Sequence, residues 1–370
     1  MINTNDDNRV FGLDLMRTTA ICLVLIGHCG WIYPNDQDVL SQLFAFSAFM
    51  GVEVFFVLSG FLIGRILFKI YTTTEFTWSD IITFLKRRWF RTVPNYYLIL
   101  IVNIIIGLAI GYQLDELWRY FFFLQNFSTA MLPFFTESWS LPVEEFAYIL
   151  LPASLFIALS IRPKDDKKLL FLAVALALIL IFIICKIINH MYDPSPTIYE
   201  WNLGVKSVVV FRVDSIIIGV LYAWLSLVFV GIWKRFKIIL AVVGALGMCF
   251  FLIGVGYFRL FIDQYPIFWN IVYLPLTSLS IGLFLPLLSD WKSSWSIIKK
   301  PVTFISLISY SLYLIHYSVT LQTMKQIVPS DELKGTALVI FLLCYLAITF
   351  ALSTILYKFY EKPVTDRRDN

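Results

Sequence analysis

Charge is scarce in this sequence of 370 residues. Asp, Glu, Lys and Arg together make up 15%, against 59% hydrophobic residues, where a soluble domain carries nearer a quarter charged. The apolar residues are also not scattered. They form runs of about 20, the length a helix needs to cross a ~30 Å hydrocarbon layer, which excludes an ordinary soluble globule. The runs do not alternate as barrel strands do, which excludes a β-barrel. Cysteine occurs five times, as Cys22, Cys29, Cys185, Cys249 and Cys344, all in or beside apolar runs. The number is odd and no CxxC is present, so neither a disulfide framework nor a metal site is expected and the five are assigned as packing residues. A net charge of +4 is too modest for a nucleic-acid-binding patch. No linker rich in Gly, Ser or Pro and no internal repeat divides the chain, so residues 1–370 are expected to form one membrane domain without a soluble appendage. No small-residue cleavage site follows the first apolar run, which is therefore expected to stay as a permanent span.

Hydropathy places ten spans, at residues 12–33, 40–70, 93–112, 139–161, 169–190, 205–230, 236–257, 266–288, 302–324 and 336–359. The expected fold class is an all-α, polytopic transmembrane helix bundle. The aromatic stretch 117–132 fits either an outer-loop helix or a re-entrant segment. With the N-terminus inside, the inner segments hold Arg65 and Lys69, then Lys86, Arg87, Arg88 and Arg91, then Arg162, Lys164, Lys167 and Lys168, then Lys234, Arg235 and Lys237, then Lys292, Lys299 and Lys300; the tail adds Lys358, Lys362, Arg367 and Arg368. The outer loops hold only Arg119, Arg259, Lys325 and Lys334. The positive-inside rule therefore places both termini in the cytosol, and an odd number of spans would break the alternation.

Ionisable groups inside a span are expensive and are functional candidates by default. The first span carries Asp14, Arg17 and His28. Arg17 and His28 are eleven residues apart, so they share a helix face about 16 Å apart along the axis, and Asp14 is spaced to pair with Arg17. The second span holds Glu53, Ser59 and a Gly60/Gly64 pair of the helix-packing type. The fourth opens with Trp139 and, after Pro142, the adjacent acids Glu144 and Glu145, of which at most one is expected to face the bundle interior. The sixth carries Arg212 and Asp214, candidates for a buried pair. The ninth carries His316, whereas His190 falls at an outer span end and is expected to be interfacial.

These motifs resemble those of the acyltransferase-3 family of membrane acyltransferases. The spacing Arg17-x10-His28 is similar to the family's arginine–histidine signature. The resemblance continues through Glu53-Val-Phe-Phe-Val-Leu-Ser59-Gly60, Arg87-Arg-Trp-Phe-Arg91-Thr-Val-Pro94 with Tyr96 and Tyr97, and Trp139-Ser-Leu-Pro-Val-Glu144-Glu145. It ends with Phe211-Arg-Val-Asp214, Tyr310-Ser-Leu-Tyr-Leu-Ile-His316 and Tyr360-Glu-Lys-Pro363, all in family order. One departure is Phe146, where the family usually has glutamine.

The resemblance implies transfer of an acyl group, acetyl above all, from acyl-CoA to a hydroxyl of a surface carbohydrate, at the cell membrane of a bacterium. An imidazole that titrates near neutral pH can take the proton of an alcohol as it attacks a thioester. His28 is the candidate base and Glu144 the carboxylate that would orient it. Arg17, Arg88 and Arg91 are candidates for the phosphates of acyl-CoA; Asp14, Glu53, Ser59, Trp139, Arg212, Asp214 and His316 are candidates for acceptor contacts or structural polarity. The expected partners are the bilayer, acyl-CoA and a carbohydrate, with no metal and no nucleic acid; no oligomeric state is implied. A proton-coupled transporter or exporter is the competing class, which inverted repeats would favour; none is visible.

Overall fold

The computed structural model describes residues 9–33, 39–73, 75–162, 166–330 and 333–367. Lys164 and Arg368, counted above among the inner charges, lie outside them. Among the described residues the fold is helical throughout, with no strand. Within the described residues, nine helices are long and apolar enough to cross a membrane: α1 Phe11–Cys29, α2 Val39–Thr73, α3 Trp78–Ala109, α4 Thr136–Ile161, α5 Lys167–Tyr192, α7 Lys237–Tyr257, α8 Phe268–Asp290, α9 Ser296–Ile327 and α10 Thr336–Asp366. Between α5 and α7 lies a shorter apolar helix, α6, Val213–Val228. Each of the ten expected spans thus has a helix.

α6 is shorter than expected because residues 205–212 do not continue it. They form the end of a π turn, a non-helical step and a single 3-10 turn, Val209–Phe211. Their backbone groups bond elsewhere: Val209 N donates to Asn126 O at 3.0 Å, Val210 N to Phe127 O at 3.2 Å, and Ser207 O accepts from Asn126 Nδ2 at 2.5 Å. Irregular backbone inside a bundle is tolerated where protein groups satisfy it in this way. Those partners come from stretch 117–132. That stretch has one short helix, Trp118–Phe121, and then folds in turns onto the chain before α6.

α3 also departs from expectation, starting 15 residues early. Its N-terminal turn is closed by Thr77, whose N–H donates to the Asp80 carboxylate at 2.8 Å, a capping arrangement. The basic cluster expected in a loop is therefore on a helix. Lys86 and Arg87 are exposed there, whereas Arg88 and Arg91, three apart and hence on one face, are half-buried.

α2 is the central helix, packed most extensively against α6 and α1. Its crossing with α6 depends on Gly60 and Gly219. A Cβ at Gly60 would lie 1.9 Å from Ile216 O, and one at Gly219 would lie 2.3 Å from Val57 O, so backbone meets backbone with no room for a side chain. Both ends of the described chain reach the same part of α9. Arg9 donates to Ser306 Oγ at 3.2 Å, and Glu361 accepts from Ser311 Oγ at 2.5 Å.

Candidate active site

Two cavities lie at opposite ends of the same helices. The first is a cleft holding about 790 Å³ of unfilled space, part of it open. It is lined by Arg17 of α1, Phe56 and Ser59 of α2, Arg88, Arg91 and Thr92 of α3, Ser140, Glu144 and Tyr148 of α4, and Ser309, Tyr310 and Tyr313 of α9. The second, of similar volume, is lined further along α3 and α9 and on the turn before α4: Asn103, Ile106 and Gly107 of α3 with Ile110 just past its end, 133–136 around the start of α4, and Tyr317 to Gln326 in α9. α3 and α9 each present one segment to each cavity.

The cleft is basic. Arg17 is held by Ser306 Oγ, 3.4 Å from Nη1, and stands 3.9 Å from Asp14. The local Asp14–Arg17 pairing expected from spacing is therefore loose. Asp14 instead binds Arg9, at 2.5 and 2.9 Å, and accepts from Ser306 Oγ at 2.8 Å. Glu144 accepts from Ser59 Oγ at 3.1 Å and from the Tyr148 hydroxyl at 2.7 Å. It makes no contact with His28, so the expectation that it orients that ring gives way to a place in the cleft wall. Glu145 is also buried, accepting from Trp89 Nε1 at 3.0 Å and Thr92 Oγ1 at 2.9 Å. Both adjacent acids thus point into protein, toward different helices. Three guanidinium groups around one cavity suit a multiply charged phosphate ligand.

His28 lies beside His316, with ring centroids 4.5 Å apart at 81°. Each Nδ1 faces a backbone carbonyl, His28 that of Val24 at 2.8 Å and His316 that of Tyr313 at 2.7 Å. A carbonyl only accepts, so in the neutral rings both Nδ1 atoms carry the hydrogen. His316 Nε2, 3.3 Å from His28 Nδ1, is then a second acceptor for the same N–H. What is left, among the described residues, is the Nε2 lone pair of His28, the uncommitted basic nitrogen of the pair. Tyr313 lines the cleft, lies 5.8 Å from the His316 ring, and is held by Ser140 Oγ at 2.7 Å and Glu137 O at 2.8 Å. Tyr317 lines the second cavity and lies 4.9 Å from the His28 ring. The histidine pair therefore stands between the two cavities.

At His316 the α9 backbone widens into a π segment, His316–Gln322, a feature frequent at functional sites. Buried Glu137 fixes it, accepting from Ser318 N at 2.9 Å and Ser318 Oγ at 2.5 Å.

Comparison with known proteins places the chain in a family. The acyltransferase-domain model of the acyltransferase-3 family matches residues 10–358. The chain belongs to the acyltransferase-3 family. Its curated relatives include O-acetyltransferase OatA of Staphylococcus aureus, strains NCTC 8325 / PS 47, COL and MRSA252. Each is 24% identical over 390 residues, covering 95% of this chain and 57% of the relative. The chain thus spans a little over half the length of the curated relatives it matches. No solved structure matches it.

Within this acyltransferase-3 chain the remaining candidates form a wall behind the cleft. Arg212 and Asp214 do not pair with each other. Arg212 pairs with Glu53, which also accepts from Ser278 Oγ at 3.3 Å, and Asp214 pairs with Lys186. All four charged groups are fully buried. Facing charges on separate helices satisfy each other better than two neighbours on one turn, whose side chains diverge. Arg212 also covers the Phe56 ring at 5.3 Å, and Phe56 lines the cleft. Trp139 packs on Phe56 at 5.8 Å and under Lys206 at 5.0 Å, outside the cleft lining. Lys186 was missed by sequence reasoning although a lone lysine in an apolar run is itself a signal. Glu137, Ser318 and Tyr313 were not singled out either. Among the described residues no group of three His, Cys, Asp or Glu side chains converges as a metal site.

Proposed function

We propose that this chain is a membrane O-acyltransferase that moves an acyl group, acetyl above all, from acyl-CoA bound in the arginine cleft to a carbohydrate hydroxyl presented from the other cavity. The reading takes both termini and the cleft as cytosolic, in line with the distribution of lysine and arginine. Family membership supports the reaction class. The observation that carries the mechanism is the histidine pair, with one lone pair uncommitted, between a basic cavity and a neutral one.

Arg17, Arg88 and Arg91 would hold the phosphates of the donor, since charge-assisted contacts to guanidinium are the strongest polar contacts available there. The pantetheine arm is an extended chain, of the order of the ~16 Å that separates Arg17 from His28 along α1. It would carry the thioester past Tyr313. The acceptor hydroxyl hydrogen passes to His28 Nε2 as its oxygen forms a bond to the thioester carbonyl carbon. The carbon–sulfur bond then breaks, and the leaving thiolate takes the proton from His28. Throughout, His28 Nδ1–H keeps donating to Val24 O and His316 Nε2. Ring orientation is therefore preserved as the imidazolium forms, the role a third group plays for any paired base.

The test uses membranes carrying the full chain, supplied with radiolabelled acetyl-CoA, with ester-bound acetyl on glycans read by mass spectrometry. Wild type adds base-labile acetyl and inserted His28→Ala does not. Transfer at the normal rate by His28→Ala removes His28 as the base. Proton-linked solute flux without any acyl donor would instead favour a transporter.

A further inference from the structure

A third cavity shares no lining residue with the other two. It lies where α6 gives way to α7 through a short helix, Val230–Arg235. Leu225 of α6, Ile232 and Trp233 of the short helix, Leu240 of α7 and Leu279 of α8 face about 800 Å³ of unfilled space, part of it open. The polar tips in its wall are already engaged. The Tyr222 hydroxyl donates to Leu279 O at 2.7 Å, and Trp233 Nε1 donates to Ser289 Oγ at 3.1 Å. The groove therefore offers a ligand hydrocarbon contact, unlike the two cavities beside the histidine pair.

Its rim is basic. Lys234 and Arg235 directly follow the lining residues Ile232 and Trp233, and both are exposed. Lys237 stands three residues before Leu240, on the same face of α7. Lys292 lies just past the end of α8. Over residues 229–240 and 283–300 the only acid is Asp290. Lys237 Nζ takes it, at 2.5 Å, and Lys234 and Lys292 are also within its electrostatic reach. Among the described residues the ammonium groups of Lys234 and Lys292 have no hydrogen-bond or ion-pair partner. Arg235 meets the ring of its neighbour Phe236 at 5.7 Å. One carboxylate thus serves four cations.

A zwitterionic lipid would leave this excess of positive charge without a counterpart. A free phosphate would leave the groove unfilled, and an apolar helix from a second copy would make no use of the rim. A hydrocarbon chain joined to an anionic head satisfies both parts, since basic pockets between spans recognise anionic head groups.

We infer that this groove binds an anionic phospholipid, with one acyl chain along Leu225, Ile232, Leu240 and Leu279 and the head-group phosphate held by Lys234 and Arg235. The site stands apart from the acyl-transfer reading, because none of these residues lines the cleft or the second cavity.

The test uses the full chain, stripped of lipid in detergent and titrated with dioleoylphosphatidylglycerol or dioleoylphosphatidylcholine, whose chains are identical. Native mass spectrometry counts the bound lipid. One phosphatidylglycerol is expected to bind roughly tenfold more tightly than phosphatidylcholine. Lys234→Gln and, separately, Arg235→Gln should each weaken phosphatidylglycerol by about fivefold, the loss of one cation at a head group, and leave phosphatidylcholine unchanged. Leu279→Trp, which fills the groove, should weaken phosphatidylglycerol by about tenfold. An unchanged melting temperature shows that each variant is folded; if Leu279→Trp fails to fold, the two charge variants decide alone. Excess glycerol phosphate should not displace the lipid. Equal affinity for the two lipids overturns the inference, as does undiminished phosphatidylglycerol binding by both folded charge variants. Displacement by glycerol phosphate overturns it too, by leaving the groove without a part. A lipid-free dimer that folded Leu279→Trp abolishes would make the occupant a second copy instead.

Discussion

The two cavities beside the histidine pair differ more than their shared helices require. The cleft at Arg17 gathers three guanidinium groups and Glu144, whereas the cavity at Asn103 has no charged lining residue. Placing a charge within a bundle is costly unless something compensates it. Asp14 and Ser306 compensate Arg17 in part, and under the proposed reaction a phosphate-bearing donor does the rest. The difference teaches that, under the proposed reaction, the asymmetry of the two cavities would follow that of the two substrates.

The comparison breaks first at the histidine pair that lies beside both cavities. His28→Ala should lower acyl transfer by about 10²–10⁴-fold, the usual contribution of a general base, with donor binding intact by calorimetry. Loss of donor binding instead would move His28 into the donor site. The charged wall behind the cleft should respond in stability rather than catalysis. Lys186→Met leaves Asp214 buried and unpaired, a loss of about 3–5 kcal/mol, seen as a lower melting temperature in detergent. Pairing it with Asp214→Leu should recover most of that loss, and failure to recover would mean that Asp214 has another charged partner. The cleft arginines should behave oppositely. Arg91→Ala should raise the KM for acetyl-CoA by roughly 10–100-fold, as removal of a charge-assisted hydrogen bond does, leaving the melting temperature and the acceptor KM near wild type. An equal rise in acceptor KM would erase the distinction between the cavities. The smallest effect is expected from Thr323→Val, about two- to tenfold on acceptor KM, with donor KM unchanged.

Much of the scaffold was legible in the sequence because hydropathy is a local property. All ten runs correspond to helices, and the Gly60/Gly64 spacing marked the face on which α2 meets α6. Two boundaries were not legible for opposite reasons. Residues 205–212 look helical, and only the distant Asn126 and the 126–127 backbone explain why they unwind. The early start of α3 was written in Thr77-Trp-Ser-Asp80, but the polar run Lys86–Arg91 outweighed it. In the site, Arg17, His28 and His316 stood out because charge and imidazole are rare within spans. Their partners did not: Arg212 is spaced for Asp214, yet it reaches Glu53 across the bundle, and Ser59 rather than an imidazole meets Glu144. Thr323 carries no signal at all, because an uncharged polar residue is ordinary in a span and only a hydroxyl buried without a partner distinguishes it.

The π segment of α9 has one further consequence. Every α9 residue that lines the cleft, Ser309, Tyr310 and Tyr313, precedes it, and every one that lines the other cavity lies within or beyond it, from Tyr317 to Gln326. A π turn amounts to one residue inserted into an α-helix. Removing a single residue between Tyr317 and Gln322 would close the segment to α-helix, and Thr323 and Gln326 would keep nearly the bearing they have now. α9 thus carries a spare residue at the junction of its two cavity-lining surfaces: a deletion there is absorbed, whereas one in the regular turns before His316 would rotate all that follows by about 100°.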